Sequence, residues 1–217
     1  MSDIFREVDD EVRREQLKRL WDRWGNYLLA AAVLIVVGIA AWRAWDWYET
    51  KKAQEAGMAF ENALTSAQAG KHEEAEAAFA KIAADSPSGY RTLARFREAA
   101  ELAQRDRAAA VKAYDALAAD SRLGQTLQDL AAVRAALLLV DSASANEMQT
   151  RLEPLTAPER PFRHSARELI ALAAWRNGDV KTAKRWFDMI MTDAETPSGT
   201  RSRIEMMMAI ADADTKG

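Results

Sequence analysis

The side chains that most resemble catalytic groups are His164 and Ser165, with Glu168 close by. A histidine base beside a serine is typical of nucleophilic catalysis, provided that the two side chains share a hydrogen bond. Adjacent residues on one helix point in different directions, so this pair does not meet that condition. The second histidine, His72, lies beside Gly70 and is expected to face solvent at the start of a helix. We therefore predict no enzyme activity and no catalytic residues.

Composition excludes several other kinds of site. The 217 residues include no cysteine and two histidines, which excludes disulfides, zinc fingers and iron–sulfur clusters. The 30 Lys and Arg nearly balance the 33 Asp and Glu, giving a net charge of -3 rather than the basic excess of nucleic-acid binders. The sequence has no nucleotide-binding, hydrolase or protease motif. We expect no cofactor, no metal, no small-molecule substrate and no nucleic-acid partner.

Residues 24–42 contain no charged side chain, and as a helix they would extend about 28 Å, close to the thickness of a bilayer core. Aromatic residues lie at both ends of this stretch, where amphipathic rings suit the membrane interface. The predicted interface residues are Trp21, Trp24, Trp42, Trp45 and Trp47, accompanied by Tyr27 and Tyr48. A buried core helix would not explain that distribution. The sequence therefore predicts a transmembrane helix over residues 24–42.

The predicted membrane helix is interpreted as a retained signal anchor, since seven acids and six bases precede it, unlike the short basic start of a signal peptide. Residues 13–23 contain five Lys or Arg, and residues 43–62 contain three. The positive-inside rule then predicts a cytoplasmic N-terminus and a periplasmic C-terminal domain. The expected location is the bacterial inner membrane, with a single span.

Two further segments flank the predicted span. Residues 1–23 form a predicted cytoplasmic amphipathic segment, and residues 43–55 a juxtamembrane helix. Apolar residues recur at helical spacing in the first segment, at Ile4, Phe5, Val8, Val12, Leu17, Leu20, Trp21 and Trp24. This helix either docks on a partner, lies in the headgroup layer, or extends the membrane helix.

A repeated pattern organises the rest of the chain, from residue 56 to residue 217. Its elements are a turn residue, a small residue five positions later and a large apolar residue nine positions later. The four sets are Gly70, Ala75 and Phe79; Arg105, Ala110 and Tyr114; Ala143, Met148 and Leu152; and Gly178, Ala183 and Phe187. The second and third sets are degenerate, because Arg105 lacks the freedom of glycine at the turn and Met148 is large for the small position. Their starts lie 35, 38 and 35 residues apart, close to the tetratricopeptide period of about 34.

Each position of the pattern has a physical role. Glycine makes the tight turn, the small residue permits close helix approach, and the large residue fills the gap to the next hairpin. From residue 50 onward the chain is rich in helix-forming residues, and its prolines lie only between the periodic stretches. We therefore expect helices of about 12 to 20 residues. The alternative is an unrelated helical bundle.

The predicted fold class is all-α: one N-terminal transmembrane helix and a tetratricopeptide-like solenoid of about three to four helical hairpins. Ser198 to Ala213 form a predicted C-terminal capping helix, with Ile204, Met207, Met208 and Ile210 on its apolar face. The run Met206–Met208 is interpreted as cap packing, with an adaptable peptide-binding patch as the alternative.

Several stretches of the chain resemble one family. They are Ala41-Trp42-Arg43-Ala44-Trp45 at the end of the span, Ala56 to Leu64 after it, Tyr90-Arg91-Thr92-Leu93-Ala94, and Ala173 to Asp179 at the last turn. With the overall architecture, they resemble the YfgM-type ancillary subunits of the Sec translocon. The opening residues 2–8 are similar to the alphaproteobacterial branch of that family.

The resemblance implies a non-enzymatic inner-membrane scaffold or chaperone adaptor with a periplasmic repeat domain. Its implied partners are SecYEG and a membrane-anchored periplasmic chaperone of the prolyl-isomerase type. As partner-binding candidates on the repeat surface we select Arg95, Glu168 and Trp175, with ordinary helix surface or packing as the alternative. A scaffold for another envelope complex, in division or outer-membrane assembly and possibly self-associating, is the second hypothesis.

Overall fold

The structure is a computed structural model that describes the backbone of residues 3–214, and the side chains of residue 18 and of residues 21–87 and 89–210. The chain divides into two compact units, Met1–Gln54 and Glu55–Gly217. The first helix, α1, extends over Asp3–Gln68 and therefore passes without a break through the predicted membrane and juxtamembrane segments. The amphipathic face predicted within residues 1–23 lies mostly outside the described side chains.

Within residues 3–214, α1 is followed by eight further α-helices and no strand. In chain order they are α2 (His72–Asp85), α3 (Ser88–Leu102), α4 (Arg107–Ala118), α5 (Gln125–Leu139), α6 (Ala145–Leu152), α7 (Arg163–Arg176), α8 (Val180–Thr192) and α9 (Ser198–Asp214). Two 3₁₀ turns, Ser121–Leu123 and Glu153–Leu155, precede α5 and follow α6. The predicted all-α class is confirmed for this part of the chain.

One helix is shorter than the sequence predicts. α6 has 8 residues, whereas the other helices that follow α1 have between 12 and 17. Ser144 starts α6, because its hydroxyl accepts a hydrogen bond from the backbone N–H of Glu147 at 3.1 Å. Pro154 lies two residues after the end of the helix and lacks the N–H that another α-helical turn requires, so the chain tightens into a 3₁₀ turn. The expected minimum of about 12 residues was wrong at this position.

Two glycines end helices in the same manner. Gly70 has φ 76° and Gly178 has φ 80°, in the left-handed region that costs other residues strain. After Gly70, the N–H of Lys71 donates to the carbonyl of Ser66 at 3.0 Å, and after Gly178, the N–H of Asp179 donates to the carbonyl of Ala174 at 2.9 Å. These bonds satisfy carbonyl groups that the helix end would leave unpaired.

The turn between α3 and α4 is built differently, because Arg105 stands where the first and last repeats have Gly70 and Gly178. Among the described residues, positive φ occurs only at glycines. Here the Asp106 carboxylate accepts a hydrogen bond from the backbone N–H of Ala109 at 2.9 Å and caps α4. The same kind of cap follows Gly178, where the Asp179 carboxylate accepts a hydrogen bond from the backbone N–H of Thr182 at 3.0 Å. The two turns therefore differ in how the preceding helix ends and not in how the next one starts.

The core of the second unit consists of three clusters, each shared by helices that follow one another in the chain. The first joins the end of α1 to α2 and α3, the second joins α3, α4 and α5, and the third joins α5 to α9. The large residues of the repeat pattern lie in these clusters, with Phe79, Leu152 and Phe187 at most 2% exposed. The small residues at the close-approach positions, Ala75, Ala110 and Ala183, are also buried. Burial thus follows the repeat positions along the chain.

The last helix packs onto the third cluster. Ile204 is fully buried there, and Met207 and Met208 are partly buried against the same cluster. Met206 and Ile210 are exposed. α9 therefore covers the end of the helical array with one face and leaves the other in solvent.

Candidate protein-interaction surface

The three predicted partner-binding residues all have internal partners. Arg95 on α3 donates a hydrogen bond from Nη1 to Oδ2 of Asp120, at 2.7 Å. The second carboxylate oxygen of Asp120 accepts from Nε of Arg122 at 2.8 Å. These hydrogen bonds hold the pKa of the Asp120 carboxyl well below its usual range, and the bond from Arg122 has the larger effect. Arg95 therefore fastens α3 to the turn that precedes α5.

Glu168 and Trp175 both lie on α7 and contact different helices. Arg203 of α9 donates two hydrogen bonds to the Glu168 carboxylate, at 2.6 and 2.9 Å. Trp175 meets Phe187 of α8 edge to face, with ring centroids 6.0 Å apart. Arg95, Glu168 and Trp175 thus contact different helices or turns, and these contacts do not place the three side chains on one surface. Their role in partner binding stays a prediction.

A groove in the repeat domain presents a different candidate surface. It has a volume of about 620 Å³, and its walls come mainly from α3 and α5, with Phe60 of α1 and Tyr114 of α4 contributing. Most of its lining is apolar, including Leu93 and Phe96 of α3 and Leu127 of α5. Leu93 is 54% exposed, so the groove offers apolar side chains directly to solvent.

Helical spacing explains how each wall is formed. On α3, Leu93 and Arg97 are four residues apart and therefore share a face. On α5, Leu127, Leu130 and Arg134 follow one another at intervals of three and four residues. Each helix thus contributes an apolar strip that carries one arginine. Of the described lining residues, only Tyr114 belongs to the sites predicted from sequence.

The charges of this groove all have one sign. Arg97, Arg122 and Arg134 line it, and no carboxylate occurs among the described lining residues. Arg122 is bound to Asp120, whereas Arg97 and Arg134 have no ion pair among the side chains that the structure describes. Burial raises the pKa of the Tyr114 phenol, and the nearby charges of Arg134 and Arg97 oppose that rise. The groove therefore combines an apolar floor with two unneutralised cations.

His164 belongs to a structural cluster at the start of α7. Its Nδ1 lies 3.1 Å from Oγ1 of Thr196 and 3.9 Å from Oδ2 of Asp193, so this nitrogen faces Thr196 rather than Ser165. Burial, followed by the charge of Arg163, lowers the pKa of His164. The cluster ties α7 to the segment between α8 and α9.

His72 has a partner that the sequence does not predict. It begins α2, but its Nδ1 lies 2.7 Å from Oε2 of Glu101 on α3, and its side chain is only half exposed. His72 is at a helix start as expected, but it faces solvent only in part, because packing of α2 on α3 brings Glu101 beside the ring. Across the described residues, no three His, Asp or Glu side chains are grouped as a metal ion would require.

The apolar part of α1 has the exposure expected of a membrane segment. From Trp21 onward the helix is long and apolar enough to cross a bilayer, and its most apolar window contains no buried residue. The five predicted interface tryptophans are at least 54% exposed. At the far end, the Lys51 ammonium lies 5.4 Å from the Trp47 ring centroid. A polar head beside an aromatic ring suits the boundary between lipid and water.

Comparison with known proteins agrees with this architecture. The sequence is similar to the ancillary SecYEG translocon subunit of Escherichia coli (strain K12), with 32% identity over 92 residues. The similarity covers 42% of this chain and 43% of that relative, so the chain spans less than half the length of the curated relative that it matches. No solved structure matches the chain. The tetratricopeptide repeat-like domain family matches residues 18–209, most of the chain, and the protein therefore belongs to that family.

Proposed function

We propose that the protein is a membrane-anchored, non-enzymatic interaction subunit ancillary to SecYEG. The observation that carries the proposal is the similarity to the Escherichia coli translocon subunit. The repeat-like domain supports it, since such domains bind other proteins through surfaces built by stacked helices. The apolar part of α1 supplies the anchor. The resemblance of residues 2–8 supports assignment to the alphaproteobacterial-type branch.

The proposed location is the bacterial inner membrane, with the repeat domain in the periplasm. Five Lys or Arg in residues 13–23 against three in residues 43–62 favour a cytoplasmic N-terminus. Protease added to intact spheroplasts should then digest the repeat domain and leave a cytoplasmic marker protein intact. Protection of the repeat domain would contradict this orientation and the export function with it.

The proposed role is that of an adaptor between the channel and a membrane-anchored periplasmic chaperone. Anchoring would confine the repeat domain to the exit side of the channel and raise its effective concentration near emerging chains. The exposed apolar groove supports this role, because it offers a surface for a further protein.

Co-purification tests the proposal. The full-length chain, tagged at its C-terminus and extracted in a mild detergent, should recover SecY, SecE and SecG above the level of an unrelated single-span protein with the same tag. Recovery of no translocon subunit would contradict the proposal. Site-specific crosslinking along α3, α5 and α8 would name the neighbours, and division or outer-membrane assembly proteins among them would favour the alternative scaffold.

A further inference from the structure

The groove between α3 and α5 has features that specify what it binds. Leu93 is 54% exposed on one wall, and on the other the apolar strip of α5 continues beyond the lining to Leu137, which is 49% exposed. Exposed leucines such as Leu93 are unfavourable in water, and the free energy falls when another apolar surface covers them. A ligand of this groove must therefore carry apolar side chains.

The arginines add a requirement of charge. Arg97 lies four residues after Leu93 on α3, and Arg134 lies four residues after Leu130 on α5, so a cation flanks the apolar strip on each helix. Neither guanidinium has an ion pair among the described side chains, and the described lining contributes no carboxylate. A ligand that brings carboxylates to both positions would form charge-assisted hydrogen bonds that the free protein lacks.

We propose that this groove binds an acidic amphipathic segment of a partner protein, with its apolar side chains against Leu93 and Leu127 and its carboxylates on Arg97 and Arg134. A protein segment fits these requirements better than a phospholipid headgroup. The two cations belong to separate helices with apolar surface between them, whereas a phosphatidylglycerol headgroup presents a single phosphate. The proposal deepens the proposed interaction function and rests on it.

A binding measurement on the full-length chain in zwitterionic nanodiscs tests the proposal. The probe is a fluorescent peptide that alternates Glu with Leu and Phe, and its matched control replaces every Glu with Gln. Fluorescence anisotropy, corrected with empty nanodiscs, should show tighter binding of the Glu peptide to the wild-type protein. Raising the salt concentration should reduce this difference, since exposed charge pairs are screened.

The variant R97Q/R134Q should bind the Glu peptide about tenfold more weakly, as expected for two exposed charge-assisted contacts. Its affinity for the Gln peptide should be unchanged. The control R107Q/K112Q removes two positive charges from exposed residues of α4 outside the groove and should bind both peptides as the wild type does. Circular dichroism of each variant checks that the fold is retained.

Several outcomes would overturn the proposal. Equal affinity of wild-type protein for the two peptides would remove the charge requirement, and an equal loss in both double variants would reduce the effect to net charge. Displacement of the peptide by short-chain phosphatidylglycerol would identify the groove as a lipid site. Peptide-driven dissociation of a dimer would identify a second copy as its occupant.

The peptide-binding and co-purification experiments test the groove and the proposed association with SecYEG independently. Co-purification of translocon subunits without any preference for the Glu peptide would refute the groove assignment alone. A groove that binds the Glu peptide in a protein that recovers no translocon subunit would refute the SecYEG function alone.

Discussion

Single side chains at the repeat positions stabilise the domain through burial. Phe187 is 2% exposed in the third cluster and contacts Trp175 edge to face. Replacing a buried phenylalanine by alanine removes its transfer free energy and leaves a cavity. We expect Phe187→Ala to lower the free energy of unfolding by about 3–5 kcal/mol.

Chemical denaturation of the full-length chain, followed by circular dichroism, measures this loss. The control is Met206→Ala, because Met206 is exposed on α9 and should change stability by no more than about 0.5 kcal/mol. A similar effect of the two substitutions would show that Phe187 does not hold the third cluster together.

Asp193 is a single side chain that stabilises the fold through its charge. Its Oδ2 accepts a hydrogen bond from Arg163 at 3.1 Å and another from the buried Arg167 at 2.8 Å. These hydrogen bonds hold the pKa of the Asp193 carboxyl well below its usual range, and the bond from Arg163 has the larger effect. A depressed folded-state pKa contributes stability that is present above the unfolded pKa of about 4 and is lost as the pH falls below it.

We therefore expect Asp193→Asn to melt at a lower temperature than the wild type at pH 7, because Arg167 is left buried without its carboxylate. The difference in melting temperature should shrink as the pH falls below about 4, because there Asp193 binds a proton in the unfolded wild-type chain while the folded carboxyl stays ionised to lower pH. Asp188→Asn, at an exposed position on α8, is the control and should follow the wild type. A difference between Asp193→Asn and wild type that does not change with pH would contradict the assignment.

At the scale of secondary-structure elements, the ends of helices determine where each hairpin turns. Gly178 ends α7 with φ 80°, and no atom lies within 4 Å of where its Cβ would be. Backbone strain alone is therefore expected to destabilise Gly178→Ala, by about 1–2 kcal/mol. Thermal unfolding measures the loss.

Gly89 provides the matched control, since it lies inside α3 and also has open space at its Cβ position. Gly89→Ala should be neutral or slightly stabilising, because alanine favours the helix. Equal destabilisation of the two variants would indicate that the turn at Gly178 does not need its left-handed conformation.

The turn at Arg105 begins a repeat at the predicted place but is built differently from the glycine turns. The spacing of Ala110 and Tyr114 predicts that a repeat begins there, and both side chains are buried as that repeat requires. The mechanism of the turn differs, because the Asp106 carboxylate caps α4 without a left-handed residue. Asp106 and Asp179 both cap the helix that follows, so these two turns differ in whether the preceding helix ends in a left-handed glycine.

At the scale of the whole molecule, we expect the apolar part of α1 to determine where the protein resides, because it is long and apolar enough to cross a bilayer. Leu34 and Val37 are exposed in its middle, where lipid would replace water. Two arginines at the centre of a membrane helix cost about 5–7 kcal/mol together. We expect the variant with Leu34→Arg and Val37→Arg to be lost from the membrane pellet after extraction with alkaline carbonate, and the wild type to remain in it.

The corresponding double substitution to alanine keeps the segment apolar and should remain in the pellet. Release of the wild-type chain by carbonate would refute the membrane anchor and leave the SecYEG proposal without its basis. Retention of the arginine variant would show that another part of the chain holds the protein at the membrane.

Helical class, the apolar stretch and the two glycine turns follow from the sequence because each depends on residues within a few positions of one another. The period of the apolar residues defines a helix face, and glycine alone adopts positive φ without strain. A binding surface on the repeats was expected, but the leucines and arginines that line this groove were not among the predicted binding residues. Leucines recur on α3 and α5 at the same spacing whether they face the core or the solvent, so sequence periodicity does not distinguish Leu93 from a core residue.

Contacts between distant parts of the chain settled the remaining features. Asp120 pairs with Arg95 across 25 positions, and Arg203 pairs with Glu168 across 35 positions, whereas Arg97 and Arg134 have no ion pair among the described side chains. Local preferences carry no information about such pairings, because they depend on how the helices pack. The sequence alone therefore predicts the helices, their glycine turns and the apolar segment. The charge and exposure of the groove depend on how the helices pack, and only the tertiary structure shows them.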